Sequence, residues 1–118
     1  MNIFLVRRVR KFVKQNRIQT TKDFRKDFYN HKFDEKDIKE TLIKGVHLKN
    51  SELYPNPERY VSKFYAINQI FMRHILIGYD IYKDHITLIH TSPAGNWEIN
   101  QYKKERRLLK RGFIGLFL

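Results

Sequence analysis

Apolar and polar positions follow a helical repeat in the first part of the chain. Residues 3–15 predict an amphipathic helix, because apolar side chains recur at three- and four-residue spacing while cations occupy another face. A second short helix is predicted to begin near Thr20 or Thr21, and Thr20 with Asp23 three residues later resembles a capping box. In the first helix the apolar positions are Leu5, Val9, Phe12 and Val13, and the cations are Arg7, Arg10, Lys11 and Lys14.

The third predicted helix carries start and stop signals. Asp34 can cap its N-terminus, and Phe33 before the cap can pack on Ile38. Acidic residues crowd the first turn, where the helix dipole favours them. Gly45 is predicted to end the helix in the left-handed conformation.

Strand-like patterns dominate the chain after Gly45. Residues 46–48, 60–70, 73–82 and 85–91 are rich in β-branched and aromatic side chains, with a tight turn at Lys83 and Asp84. A basic helix is predicted over residues 98–111. The sequence therefore predicts an α+β domain, in which N-terminal helices pack on one face of a three- to four-stranded, mainly antiparallel sheet and a basic C-terminal helix follows.

Strict alternation assigns the side chains of these strands to faces. Ile75 and Ile77 would face the core, which places His74 on the opposite, open side. In the last strand His90 would share a face with Ile86 and Leu88.

The size of the chain indicates its domain organisation, and its charge indicates the kind of partner it binds. The 118 residues fit one domain, with basic N-terminal helices at 1–32, a core at 33–97 and a basic tail with an apolar end at 98–118. The net charge is +12, of which +8 lies in residues 1–32 and +4 in residues 98–118. A nearly neutral centre between basic ends favours a polyanionic partner, nucleic acid first, although solvated helix faces are the alternative.

Absent features exclude other classes. With no Cys, the chain has no disulfides, thiol catalysis or Cys-ligated zinc, and its composition is typical of a cytoplasmic protein. No signal peptide or membrane span is recognisable, so no stable membrane insertion is expected. The apolar residues 112–118 are expected to pack on the domain or on a partner, and self-association through them stays open. No cofactor is expected.

Residues 34–97 carry a family resemblance. A helix ending in Gly precedes a Tyr-Pro element, then a strand with His before an aliphatic run, then a Thr-containing turn and Trp97. This order resembles a family of small bacterial toxin-like domains, and is similar to the barnase–EndoU–colicin–RelE architecture of RelE- and MqsR-like ribonuclease toxins. The family's Thr-x-Tyr near the end of the last strand is here His90-Thr91-Ser92, and its pattern does not include the long basic first helix. The resemblance implies a metal-independent endoribonuclease toxin that cleaves mRNA or tRNA and is neutralised by an acidic antitoxin or immunity protein.

Ribonucleases of this kind need an acid, a base and cations facing the phosphate. His74 is the first candidate for acid or base and His90 the second, with Lys63 and Arg73 as candidates for phosphate neutralisation. Each of the four could instead have a purely structural role. A metal nuclease is disfavoured because the sheet region offers only Asp80 and Asp84, with Lys83 between them.

RNA binding is assigned to the basic ends. Trp97 could stack on a base, although it could equally cover the core. A non-catalytic nucleic-acid-binding or regulatory protein of phage or plasmid origin is the alternative function. The basic candidates are Arg7, Arg10, Lys11, Lys14, Lys103, Lys104, Arg106 and Arg107.

Overall fold

The computed structural model describes residues 3–56 and 62–117, with side chains through residue 109. That part of the chain forms five helices and five strands. The helices are α1 (Ile3–Lys14), α2 (Lys22–Asn30), α3 (Glu35–Lys44), α4 (Asn50–Leu53) and α5 (Asn96–Phe117). The strands are β1 (Ile18–Thr20), β2 (Val46–Lys49), β3 (Phe64–Ile70), β4 (Arg73–Ile81) and β5 (Ile86–Pro93).

The strands form one mixed sheet in the order β1-β5-β4-β3-β2. The neighbours β2, β3, β4 and β5 pair antiparallel, whereas β1 pairs parallel with β5 through residues 86–88. The α+β prediction is confirmed, but the sheet has five strands and is mixed. The strand β1 was not predicted, because its three residues carry no recognisable periodicity. Residues 60 and 61 of the predicted strand 60–70 lie outside the described residues.

Helices cover both faces of the sheet, which corrects the prediction of one covered face. Val9, Phe24 and Leu42 of α1, α2 and α3 pack with Ile77 and other core residues on one face. On the opposite face a second cluster joins α4 and α5 to the sheet, and its members include Leu53, Tyr65, Leu76 and Tyr102. The basic helices α1 and α5 therefore lie on opposite sides of the sheet.

The ends of α2 and α3 follow local chemistry. The Thr21 hydroxyl caps α2 by accepting a hydrogen bond from the Phe24 backbone N–H at 3.1 Å. Asp34 precedes α3 in an extended conformation without a side-chain cap. Gly45 follows α3 with φ −73°, so the predicted left-handed stop is wrong.

A close backbone approach explains glycine at position 45. A Cβ there would lie 2.4 Å from the carbonyl oxygen of Thr41 and 2.8 Å from that of Ile67. The missing side chain thus lets α3 run directly into β2 against the neighbouring strand β3.

A β-bulge at Ile89 of β5, opposite the step between Gly78 and Tyr79 of β4, changes which residues of β5 face each helical layer. Tyr79 pairs with Leu88, but Gly78 pairs with His90 and Ile77 with Thr91. Thr91, fully buried, therefore takes the core-facing position that strict alternation assigned to His90. The expectation that His90 shares a face with Ile86 and Leu88 was wrong for this reason.

Candidate functional site

The four predicted catalytic residues lie apart in the sheet. His90 pairs with Gly78, four residues along β4 from His74, which separates the two backbones by about 13 Å at the usual rise of a strand. The Lys63 backbone N–H donates to Asp80, six residues along β4 from His74 and so about 20 Å away. The register does not bring these residues into one cluster.

Arg73 lies on the side of the sheet opposite His74. Its guanidinium carbon is 4.4 Å from the centroid of the Phe33 ring, and its Nη2 donates to the carbonyl oxygen of His31 at 3.3 Å. These contacts hold the side chain against the loop between α2 and α3.

His74 is covered by α5 instead of lying on an open face. Its ring meets the Tyr102 ring edge-on at a centroid distance of 5.5 Å. Burial, and secondly the charge of Lys103, lower its pKa. Its Nε2 atom is buried and has no hydrogen-bond partner among the described residues. A neutral imidazole packed on an aromatic ring fits these surroundings.

His90 has a different environment, in a chain of three polar side chains. Its Nδ1 lies 2.8 Å from Oδ2 of Asp27 on α2, and its Nε2 lies 3.2 Å from Oγ of Ser92. A carboxylate can only accept a hydrogen bond, so Nδ1 carries the proton and, in the neutral ring, Nε2 accepts the Ser92 hydroxyl. The His90 side chain is 45% exposed. His90 was predicted from the sequence as a site residue, whereas Asp27 and Ser92 were not.

The edge of the sheet places this chain of residues near solvent. The pairing of β1 with β5 ends at Leu88. After Leu88, α2 takes the place of β1 beside β5, and the Thr21 hydroxyl donates to the carbonyl oxygen of Ile89. Asp27 projects from α2 toward His90 across this junction. No signal in the sequence links two residues that are 63 positions apart.

The oriented imidazole at position 90 can move a proton. A carboxylate behind a histidine fixes the tautomer and stabilises the imidazolium, which is the arrangement of general bases in hydrolytic sites. The described residues contain no group of three or more His, Asp or Glu side chains placed to hold a metal ion.

The predicted RNA-binding cations are exposed on α1 and α5. Arg10 also has a structural contact, since its Nε donates to the carbonyl oxygen of Ile43 in the last turn of α3 at 2.6 Å. On α5 the Arg106 guanidinium lies 5.9 Å from the Tyr102 ring centroid. Trp97 donates its indole N–H to the carbonyl oxygen of Leu53 at 2.7 Å and stays 49% exposed. The remaining exposed candidates are Arg7, Lys11, Lys14, Lys103, Lys104 and Arg107.

Comparison of the chain with protein-family models, curated proteins and solved structures gave no match. Among the described residues, no helix combines the length and the apolar character needed to cross a membrane. What is established is therefore an α+β domain with a five-stranded mixed sheet, two exposed basic helices and a histidine oriented by a carboxylate.

Proposed function

We propose that the protein binds RNA through its basic helices and cleaves it at a site centred on His90. The observation that carries the proposal is the Asp27–His90–Ser92 chain of hydrogen bonds at a partly exposed sheet edge. In a molecule of net charge +12, an RNA backbone is the substrate that the electrostatics favour.

The proposed chemistry uses His90 as a general base. A ribose 2′-hydroxyl displaces the Ser92 hydroxyl as the hydrogen-bond partner of Nε2. Nε2 then takes the proton of this 2′-hydroxyl, and the 2′-oxygen attacks the adjacent phosphorus. The bond from phosphorus to the 5′-oxygen breaks, and the imidazolium returns the proton to that oxygen. The products are a 2′,3′-cyclic phosphate and a 5′-hydroxyl end. Asp27 stabilises the imidazolium between the two proton transfers.

The position of His90 suits a strand that contacts both basic helices. Because α1 and α5 lie on opposite sides of the sheet, an RNA strand that contacts both helices has to pass around one edge of the sheet. His90 and the end of β5 beyond Leu88 lie at one of these edges. An acidic antitoxin or immunity protein would compete for the same cationic surfaces.

A non-catalytic nucleic-acid-binding protein is the second candidate. The separation of His74, His90 and Lys63 along the sheet favours it, because these residues cannot form the acid, base and cation set predicted for cleavage. The net charge of +12 favours RNA binding by this candidate equally well.

One experiment separates the two candidates. Purified protein is incubated with total RNA in EDTA at low salt, and the products are examined for cyclic phosphate ends. Discrete fragments with such ends support the ribonuclease. Intact RNA with a salt-sensitive gel shift supports the non-catalytic binder, and intact RNA without a shift contradicts both.

A further inference from the structure

The hairpin between β3 and β4 exposes two large apolar side chains at its tip. Ile70 pairs with Arg73, so the loop consists of Phe71 and Met72 alone. Each of these residues is 95% exposed. Gln69 steadies the loop by donating from its side-chain amide to the carbonyl oxygen of Phe71 at 3.4 Å.

The backbone at Phe71 makes the choice of residue unusual. Phe71 has φ 57°, a left-handed conformation that is strained for a bulky side chain. Two-residue hairpin loops with positive φ at the first position favour glycine there. An aromatic ring at this position is not part of either core cluster, so packing in the core does not explain it.

Cations flank the tip on both sides of the sheet. On one side Arg73 is held against Phe33 and the carbonyl oxygen of His31. Lys32, between those two residues in the chain, is exposed. On the other side His74 packs on Tyr102, with exposed Lys103 close enough for its charge to lower the pKa of His74.

A ring projecting between cations is the arrangement that single-strand-binding proteins use, because bases stack on the ring while phosphates meet the positive charges. A hairpin tip that docks into a groove of a protein partner would instead present a broad apolar patch. At this tip Gln69 and Arg73 are polar or charged and exposed, whereas Ile70, which pairs with Arg73 at the base of the loop, packs against the core.

We propose that Phe71 stacks on an unpaired base of single-stranded RNA while Arg73 and Lys103 contact the neighbouring phosphates. The proposal rests on the RNA binding proposed above and names the part of the surface that engages a base. It does not depend on cleavage at His90.

The test compares Phe71→Leu with Tyr29→Leu in binding to a short single-stranded oligoribonucleotide. Tyr29 is a matched control, since it is an aromatic residue that is 82% exposed on α2. Loss of one stacked base should weaken binding about 5- to 100-fold in Phe71→Leu. Tyr29→Leu should bind as the wild type does, and Phe71→Trp should retain affinity.

Two further measurements separate stacking from a general loss of structure. A series of oligonucleotides with one abasic position each should show a weak-binding position for the wild type that disappears in Phe71→Leu. Phe71→Gly should unfold at a higher denaturant concentration than the wild type, because glycine removes the strain, and yet bind RNA more weakly.

The outcomes distinguish this inference from the proposed function. If the wild type binds RNA and Phe71→Leu binds equally well, the stacking role is wrong while RNA binding stands. If Phe71→Leu changes only self-association in sedimentation, the tip is a contact between copies and the stacking role is also wrong. If the wild type binds no single-stranded RNA at low salt, RNA binding itself fails and the stacking role fails with it.

Discussion

His47 on β2 is a fully buried histidine whose two ring nitrogens are both satisfied. Nε2 donates to the carbonyl oxygen of Leu42 at 2.9 Å, and Nδ1 accepts from the Tyr79 hydroxyl at 2.6 Å. Burial, partly opposed by the bond to Leu42, lowers the pKa of His47 to about 4, and burial raises the pKa of Tyr79. The neutral pair therefore links α3, β2 and β4 inside the core.

This burial predicts acid sensitivity. The pKa of His47 is lower in the folded chain than in the unfolded chain, where it is 6.5, so the unfolded state takes up the proton first as pH falls. The stabilising contribution is complete above about pH 6.5 and is lost as pH falls toward 4, by about 3 kcal/mol in total. Urea unfolding between pH 7 and 4 measures it. His47→Asn should show a shallower decline over this range, and a decline as steep as that of the wild type would contradict the assignment.

At the scale of elements, Gly45 shows how one missing side chain sets a junction. The backbone oxygens that a Cβ would meet belong to α3 and β3, and neither can move without shifting its element. Gly95, just before α5, is different, because the atoms nearest to a Cβ there all belong to the carboxylate of Glu98, at the end of a flexible side chain, with Oε2 at 3.1 Å.

Gly45→Ala is therefore expected to lower the free energy of unfolding by about 1–3 kcal/mol through overpacking. Gly95→Ala is the control and should stay within about 0.5 kcal/mol of the wild type. Denaturant melts of the three proteins measure the difference. Equal midpoints for Gly45→Ala and the wild type would show that the junction relaxes freely.

The basic face of α1 gives a second prediction at this scale. Arg7, Lys11 and Lys14 are exposed at helical spacing, and replacing all three with Gln should reduce the slope of log affinity against log salt by about two units for single-stranded RNA. The reason is that each phosphate contact releases counterions. Filter-binding titrations from low to moderate salt measure the slope.

A matched variant controls for the loss of net charge. Replacing Lys36, Lys39 and Lys44 of α3 removes the same charge, but Lys39 and Lys44 already pair with carboxylates of their own helix. This variant should reduce the slope of log affinity against log salt by less than the α1 variant does. If both variants change the slope equally, α1 has no special part in binding.

Local patterns were sufficient to predict the elements whose signals are local. The three N-terminal helices, β2 and the turn at Lys83 and Asp84 all carry their own periodicity, caps or turn residues. The parallel strand β1 and the helical cover on the second face depend on contacts between distant parts of the chain. Such contacts leave no periodic signal.

The candidate site was predicted only in part for the same reason. His90 was recognisable as a polar residue near the end of a strand, but its face changes with a bulge that alternation does not reveal. Asp27 reaches it from another element, and a sequence gives no distance between the two. His74 is packed under α5, and Arg73 is held by the loop before α3. The catalytic roles predicted for these two residues stay predictions.

At the scale of the whole molecule, charge and chemistry are separated in space. Exposed cations lie on both sides of the sheet, on α1 and α5, while the oriented histidine lies at an edge between them. We therefore propose that the helices provide the RNA affinity and that any cleavage takes place at His90. The two properties should be separable by substitution.

Cleavage of a defined RNA by His90→Ala and His85→Ala tests this account most directly. His85 is a matched control, because its Nδ1 also lies 2.7 Å from a carboxylate oxygen, that of Asp84, in the turn between β4 and β5. Removing a positioned general base should reduce the cleavage rate of His90→Ala about 10²- to 10⁴-fold, with RNA affinity unchanged and the protein still folded. His85→Ala should cleave at the wild-type rate. Wild-type cleavage by a folded His90→Ala protein, or an equal loss in both variants, would contradict a catalytic site centred on His90.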